Sequence, residues 1–80
     1  NQERRQELVR LLKRKIEEGK VSIRNVRREG LDSLRKMERD KVISQDQNHR
    51  AQDQLQKATD SHTKVVDQVA TAKEAEIMQV

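Results

Sequence analysis

The chain has 80 residues, of which only 31% are hydrophobic and 40% are charged, and it contains no Phe, Trp, Tyr, Cys or Pro. A chain of this size has difficulty burying enough apolar surface to fold alone. The lack of Cys excludes a disulfide framework and any thiolate metal site. No apolar run approaches the roughly 20 residues that span a bilayer, and no signal-peptide pattern opens the chain, so we expect a soluble, intracellular protein without a membrane partner.

Charge is distributed unevenly along the sequence. Residues 1–43 hold 14 Lys or Arg against 8 Asp or Glu, a net charge of +6, whereas residues 44–80 hold 4 against 6, a net charge of −2. The excess of basic side chains in the first half indicates an anionic partner for that half.

A first long helix is predicted from about residue 3 to residue 40. Apolar or small residues recur there at intervals of three or four, which places them on one helical face. This predicted seam consists of Leu8, Leu12, Ile16, Gly19, Ile23, Val26, Gly30, Leu34 and Met37. At 1.5 Å per residue the helix would be roughly 55 Å long.

A turn is predicted over about residues 41–44. Ser44 followed three residues later by Gln47 has the pattern of a capping box, and Asp46 in the first turn of the next helix suits its dipole. A connection this short makes the two helices pack antiparallel.

The second helix is predicted from about residue 45 to residue 79, and its acidic residues repeat every seven positions. They are Asp46, Asp53, Asp60, Asp67 and Glu74. The first three precede a base by four residues, the favourable order for ion pairs along one helix. Those bases are Arg50, Lys57 and Lys64. The same heptad frame predicts an apolar seam at Ala51, Leu55, Ala58, His62, Val65, Val69 and Ala72.

Both seams are narrow, and further apolar residues flank them. These are Val9, Leu11, Val21, Leu31, Val66, Ile77 and Val80. A two-helix hairpin would leave much of this surface in water. We therefore predict an all-α fold of two long antiparallel helices that form part of a three-helix bundle, whose third helix is not present in this chain.

Basic side chains form a second face on the first helix. Projection at about 100° per residue places this face roughly a third of a turn from the seam. It consists of Arg10, Lys13, Lys20, Arg24, Arg28, Arg35, Arg39 and Lys41, with Arg27 at its edge toward the core. Guanidinium groups bind phosphates in a bidentate manner and stack on bases, so a face weighted toward Arg favours RNA as the partner. The solvated face of an ordinary helical bundle would explain the charge pattern equally well.

Catalytic and metal sites cannot be assigned from the sequence. His49 and His62 are thirteen residues apart, which is not a spacing that joins two metal ligands on one helix. His62 is interpreted as a core position, and Gly19 and Gly30 as packing positions. The Asp and Glu residues are dispersed and do not converge on one site. We therefore predict no enzymatic activity and no cofactor.

Residues 21–29, with the sequence VSIRNVRRE, closely resemble the signature of bacterial-type ribosome recycling factors. Four further stretches resemble that family in the same order, namely residues 3–9, 40–44, 56–60 and 73–80. The similarity covers essentially the whole chain. Three positions depart from the family pattern: Glu29 and Gly30 stand where Asp and Ala are usual, and His62 stands where an aromatic or apolar core residue is frequent.

The resemblance implies a fold and a function. Members of the family are L-shaped, with a three-helix bundle and a small β-rich domain inserted between the first two bundle helices. This chain would be the second and third helices, without the first bundle helix and the inserted domain. The family acts with elongation factor G and GTP hydrolysis to split post-termination ribosomes. Its matching arginines contact large-subunit rRNA, which implies this role for Arg24, Arg27 and Arg28, and for Arg27 most strongly.

The resulting prediction is a monomeric, non-enzymatic translation factor in the cytoplasm of a bacterium or inside an organelle. Its predicted rRNA-binding residues are Lys20, Arg24, Arg27, Arg28, Arg35, Arg10 and Lys13. The alternative is a coiled-coil hairpin that acts as a structural protein-interaction module. A basic helix for anionic membranes is a weaker alternative, because no sector of bulky aromatic or leucine residues lies opposite the polar face.

Overall fold

The computed structural model describes residues 1–79, which form two helices, α1 (Gln2–Arg39) and α2 (Gln45–Met78). The helices pack antiparallel into a rod with principal extents of 60 × 15 × 9 Å. The prediction of an all-α helical hairpin is confirmed, and the helix boundaries lie within one residue of those expected. The prediction that Val80 flanks the apolar seam lies outside the described residues.

The first helix ends in a Schellman motif. Lys41 adopts a φ of 61°, in the left-handed region. Its amide donates to the carbonyl oxygen of Glu38 at 2.9 Å, and the amide of Val42 donates to the carbonyl oxygen of Met37 at 2.8 Å. These two bonds satisfy carbonyl groups that the end of a helix otherwise leaves without partners. The turn therefore reverses the chain with a non-glycine residue at the position where glycine is usual.

The predicted capping box at the start of α2 is confirmed. The Ser44 hydroxyl oxygen accepts from the Gln47 amide at 3.0 Å, and the Ser44 amide donates to Oε1 of Gln47 at 2.8 Å. Together with the Schellman motif, this fixes both helix ends within a five-residue connection, residues 40–44.

Glycine at position 41 should stabilise the protein. A side chain with a Cβ atom pays a steric penalty in the left-handed region that glycine avoids, so Lys41→Gly should raise the free energy of unfolding by about 1 kcal/mol. Urea unfolding of the intact protein, followed by far-UV circular dichroism, measures this change. Lys41→Ala is the matched control, because it removes the same charge and keeps the Cβ atom. An equal gain in both variants would contradict the backbone explanation.

The seam predicted for α1 is largely confirmed. Its half-buried members are Leu8, Leu12, Ile16, Gly19, Ile23, Gly30 and Leu34. The prediction was wrong for Val26 and Met37, which are 59% and 38% exposed. These two side chains lie beside the strip that α2 covers, so the second helix does not reach them.

The seam predicted for α2 is wrong beyond Leu55. Its remaining members are all exposed, namely Ala58, His62, Val65, Val69 and Ala72. The residues that are half-buried instead are Thr59, Thr63, Val66, Ala70, Glu74 and Ile77. The true contact strip is displaced by about one residue, which corresponds to a rotation of roughly 100° about the helix axis. Within the hairpin His62 is therefore exposed rather than buried, and its Nδ1 lies 2.7 Å from the carbonyl oxygen of Ala58 on the same helix.

A closed apolar core is absent from the hairpin formed by residues 1–79, where no hydrophobic side chain is buried. The one buried residue in that range is Asn48, which is 6% exposed. Its Nδ2 donates to Oε1 of Glu38 at 2.8 Å, and its Oδ1 accepts from Nε2 of Gln52 at 3.0 Å. A hydrogen-bonded polar cluster thus joins the two helices near the turn.

The two glycines of α1 have different surroundings. A Cβ atom at Gly30 would lie 2.8 Å from Cδ2 of Leu55, whereas one at Gly19 would have no neighbour within 4 Å. The interpretation as a packing position is confirmed for Gly30, whereas Gly19 is half-buried on the seam but leaves open space where a Cβ atom would lie. Gly30 allows α2 to bring Leu55 against the backbone of α1.

Candidate nucleic-acid interface

Two grooves follow the contact between α1 and α2, and both include Ile23 and Thr59 from the contact itself. The apolar groove is lined by Ser22, Ile23, Val26, Leu55, Ala58, Thr59 and His62. The basic groove is lined by Lys20, Ile23, Arg24, Arg27, Gln56, Thr59, Asp60 and Thr63. Because Val26 and Arg24 are about 160° apart around a helix with 100° per residue, the two grooves lie on opposite sides of the hairpin. The hairpin therefore has an apolar side and a basic side, and the two grooves lie at the same position along the helix axes.

All seven predicted rRNA-binding residues are on α1, but they differ in exposure. The exposed ones are Arg10, Lys13, Arg24, Arg28 and Arg35. Lys20 and Arg27 are half-buried where α1 meets α2, as the position of Arg27 at the edge of the basic face predicted. The structure brings Lys20, Arg24 and Arg27 together in the basic groove. Arg10 and Arg35 lie outside it, about 38 Å apart along the helix at 1.5 Å per residue.

Two of the basic residues form ion pairs across the helix contact. The Nζ atom of Lys20 lies 2.6 Å from Oδ1 of Asp67, and that of Lys13 lies 4.0 Å from Oε1 of Glu74. The lysines are seven residues apart on α1 and the acids seven apart on α2, in antiparallel order. Solvent-accessible pairs of this kind contribute only about 0–1 kcal/mol each. They favour one register of the helices, because a slip of one turn would separate both pairs.

Arg27 is the next residue in the same heptad series, and its partner is an amide. Its Nη1 donates to Oε1 of Gln56 at 3.0 Å. The Nε2 of that glutamine donates to Oδ1 of Asp60 at 2.8 Å. A neutral group therefore separates this guanidinium from the carboxylate at the matching heptad position.

The other predicted arginines pair within α1 or have no acidic partner. Arg24 Nη2 lies 3.0 Å from Oε1 of Glu17, and Arg35 Nη1 lies 3.5 Å from Oδ1 of Asp32. These carboxylates are well exposed, so they leave the guanidinium groups accessible. Arg28, like Arg10, has no carboxylate of residues 1–79 within 4.0 Å. Arg28 therefore presents an unneutralised charge beside the basic groove.

Four α2 residues on this side of the molecule were not predicted from the sequence. They are Gln56, Asp60, Asp67 and Glu74. The sequence predicted three acid–base pairs along α2, and of these only Asp46–Arg50 is formed within residues 1–79, at 2.8 Å. The sequence contains a pattern that could have predicted the cross-helix pairs, because bases on α1 and acids on α2 share a seven-residue spacing. It is visible at positions 13, 20 and 27 and at positions 60, 67 and 74.

The described part of the chain has neither a metal-binding cluster nor a membrane-spanning helix. Residues 1–79 contain no group of three or more His, Asp or Glu side chains placed to hold a metal ion. Neither helix in that range is long and apolar enough to cross a membrane.

Fold and site together define a class of protein: an all-α helical hairpin that exposes an arginine-rich side and, opposite to it, an apolar side. The family model described as "Ribosome recycling factor" matches residues 1–78. The chain belongs to the ribosome recycling factor family, as the sequence resemblance predicted. This family consists of non-enzymatic translation factors, which agrees with the prediction that the chain is not an enzyme.

Similar proteins come from several bacteria, and each is named "Ribosome-recycling factor". The one from Symbiobacterium thermophilum is 49% identical over 79 residues, and the one from Carboxydothermus hydrogenoformans is 51% identical over 79 residues. Each match covers 99% of this chain and 43% of the relative. The protein from Methylobacterium sp. (strain 4-46) is 52% identical over 80 residues, which is 100% of this chain and again 43% of the relative. The chain therefore spans less than half the length of these relatives.

Proposed function

We propose that this chain is the part of a ribosome recycling factor that binds large-subunit rRNA. The complete factor would act with elongation factor G and GTP to disassemble the post-termination ribosome, in the bacterial cytoplasm or in an organelle. Membership of the family supports the role in recycling. The observation that carries the rRNA proposal is the placement of Arg24 and Arg27 in the basic groove, on the side of the hairpin opposite the apolar groove. The helical period places Arg28 beside them on the same face of α1.

The physical chemistry of the basic side suits a folded RNA. Guanidinium groups form bidentate hydrogen bonds with phosphate oxygens, and their charge displaces condensed counterions from the backbone. The chain has no aromatic residue on which single-stranded bases could stack. A rigid helix with cations distributed along it instead favours contacts with phosphates of a structured RNA surface.

The apolar side supports a three-helix bundle in the complete factor. Val26, which lines the apolar groove, is 59% exposed. Val65 and Val69, which continue the helical face of His62 along α2, are 55% and 48% exposed, a large exposure for apolar side chains. Since the chain covers only 43% of its relatives, the rest of the factor is long enough to supply a covering helix and the β-rich domain that the resemblance implies. A helix from the same chain would close the core without a second copy, so we expect a monomer.

Loss of the Arg27 guanidinium should weaken binding to the large ribosomal subunit. Hydrogen bonds to charged groups contribute about 1.5–3 kcal/mol, so Arg27→Ala should raise the Kd of the intact factor by about tenfold or more. The slope of log affinity against log salt should decrease by about one unit, because one phosphate contact is lost. Co-sedimentation with isolated large subunits over a range of salt concentrations measures both quantities.

Arg50→Ala is the matched control for this experiment. It removes one guanidinium charge from the exposed surface of α2, where Arg50 pairs with Asp46 of the same helix. We expect its Kd to stay within about twofold of the unchanged protein, since surface pairs of this kind contribute little. Unaltered affinity of Arg27→Ala, with helicity retained, would contradict the rRNA-binding proposal.

A coiled-coil interaction module remains the second candidate, and the exposed apolar groove is the observation that favours it. A protein partner or a second copy could cover that groove as well as a helix of the same chain. Analytical ultracentrifugation of the intact protein separates the two candidates. A stable homodimer that does not sediment with ribosomes would favour the module, whereas binding to large subunits that is lost at high salt would favour the translation factor.

A further inference from the structure

The basic residues that face α2 are restrained in two chemically different ways. Lys13 and Lys20 point at carboxylates, which offset their charge. Arg27 lies at the matching heptad position and bonds to the neutral amide of Gln56. A neutral acceptor can orient a guanidinium group without offsetting its positive charge.

The amide of Gln56 is itself oriented at both ends. Its Oε1 accepts from Arg27 and its Nε2 donates to Oδ1 of Asp60 at 2.8 Å, one turn further along α2. Only this orientation of the amide satisfies both neighbours, because a guanidinium group only donates and a carboxylate only accepts. Asp60 thus determines which end of the Gln56 amide meets Arg27.

The bond to Gln56 leaves most of the guanidinium group available to a ligand. A guanidinium has five N–H donors, and Gln56 accepts from Nη1 alone. The half-buried position of Arg27 between the helices also restricts its aliphatic carbons. An arginine held in this way loses less side-chain entropy when it binds a phosphate.

We propose that Gln56 is a positioning residue, which holds the Arg27 guanidinium in the orientation that binds a phosphate of the RNA and keeps its full charge. This inference rests on the proposed function, because it assigns a role within the same rRNA-binding surface. Gln56 does not contact the RNA in this arrangement and acts only through Arg27.

A double-mutant cycle in the intact protein tests this role, with isolated large ribosomal subunits as the probe. Gln56→Ala should raise the Kd about two- to tenfold, the range expected when one restrained side chain becomes free before binding. The salt slope should stay unchanged, because no charge is altered. In an Arg27→Ala background the same substitution should have no further effect.

Gln56→Glu distinguishes orientation from charge. It retains the length of the side chain but places a carboxylate beside the Arg27 guanidinium. Because this carboxylate offsets one positive charge, the substitution should weaken binding and decrease the salt slope by about one unit. Gln54→Ala is the matched control, since Gln54 is an exposed glutamine of α2 with no side-chain hydrogen bond among residues 1–79. It should leave both the Kd and the slope unchanged.

Other outcomes would refute either the positioning role of Gln56 or the proposed function itself. Suppose that Arg27→Ala weakens binding. The positioning role is then refuted if Gln56→Ala leaves the Kd unchanged, or if Gln56→Glu has the Kd and salt slope of the unchanged protein. A loss from Gln56→Ala that persists in the Arg27→Ala background would mean that Gln56 contacts RNA itself, which also refutes it. If Arg27→Ala does not weaken binding, the proposed function fails, irrespective of the Gln56 variants.

Discussion

Replacement of Gly30 by valine should lower the free energy of unfolding of the intact protein by about 1–3 kcal/mol, the usual cost of overpacking. A Cβ atom at this position would already lie 2.8 Å from Cδ2 of Leu55, and the two methyl groups of valine extend further into the same space. Leu55 can move its side-chain end, but it lies in the apolar groove between the helices, where its displacement removes contacts. The slightly better helix propensity of valine offsets only a few tenths of a kcal/mol.

A second substitution shows whether Leu55 is the cause. Leu55→Ala removes the atoms that conflict with position 30, so it should be less destabilising in the Gly30→Val background than alone, with a coupling of about 0.5–3 kcal/mol. Gly19→Val is the comparison variant, because a Cβ atom there would meet no atom of α2 within 4 Å. Urea unfolding followed by circular dichroism measures all of these changes. Additive effects at positions 30 and 55 would be incompatible with the steric explanation.

Replacement of Asn48 by leucine should destabilise the protein by about 1–3 kcal/mol, although it places an apolar side chain at the most buried position of the hairpin. Asn48 donates to the carboxylate of Glu38 and accepts from Gln52. Leucine can make neither bond, so the half-buried carboxylate loses its donor from α2. The cost of a polar group left without a partner exceeds the gain from apolar contact at this site.

Removal of both polar partners should restore much of the stability. Asn48→Leu combined with Glu38→Met replaces donor and acceptor by apolar groups of similar size, a change that is often nearly neutral. Thermal unfolding of the two single variants and the double variant gives the coupling between positions 38 and 48. If Glu38→Met worsens the loss caused by Asn48→Leu, the hydrogen bond between these two residues is not what stabilises the turn end of the hairpin.

Several features of this protein follow from the sequence because they depend on residues close together in the chain. The spacing of Leu8, Leu12 and Ile16 defines one face of α1, and the pattern of Ser44 and Gln47 defines the start of α2. The basic face of α1 is also local, since the helical period alone places Arg24 and Arg28 on one side. Family membership was visible for the same reason, in short stretches of consecutive residues.

The partners of the polar side chains could be identified only from the tertiary structure. Asp60 has Lys64 four residues away on α2, yet it accepts from Gln56 beside Arg27. An ion pair along one helix and a pair across two helices differ by only a few tenths of a kcal/mol, so the sequence does not decide between them. The antiparallel alignment of the helices decides it, because it brings positions 20 and 67 within ion-pair distance.

The sequence by itself thus determined the helices, their ends and the basic side of α1, whereas the tertiary structure decided which strip of α2 meets that helix. The periodicity of α2 indicated the strip that includes His62 and Val65, but α1 covers the neighbouring strip that includes Thr63 and Val66. Hydrophobic periodicity shows how wide the apolar sector of a helix is and does not assign its parts to particular neighbours. That assignment depends on the rotation of each helix in the packed molecule, and the same rotation places Gln56 beside Arg27 on the basic side.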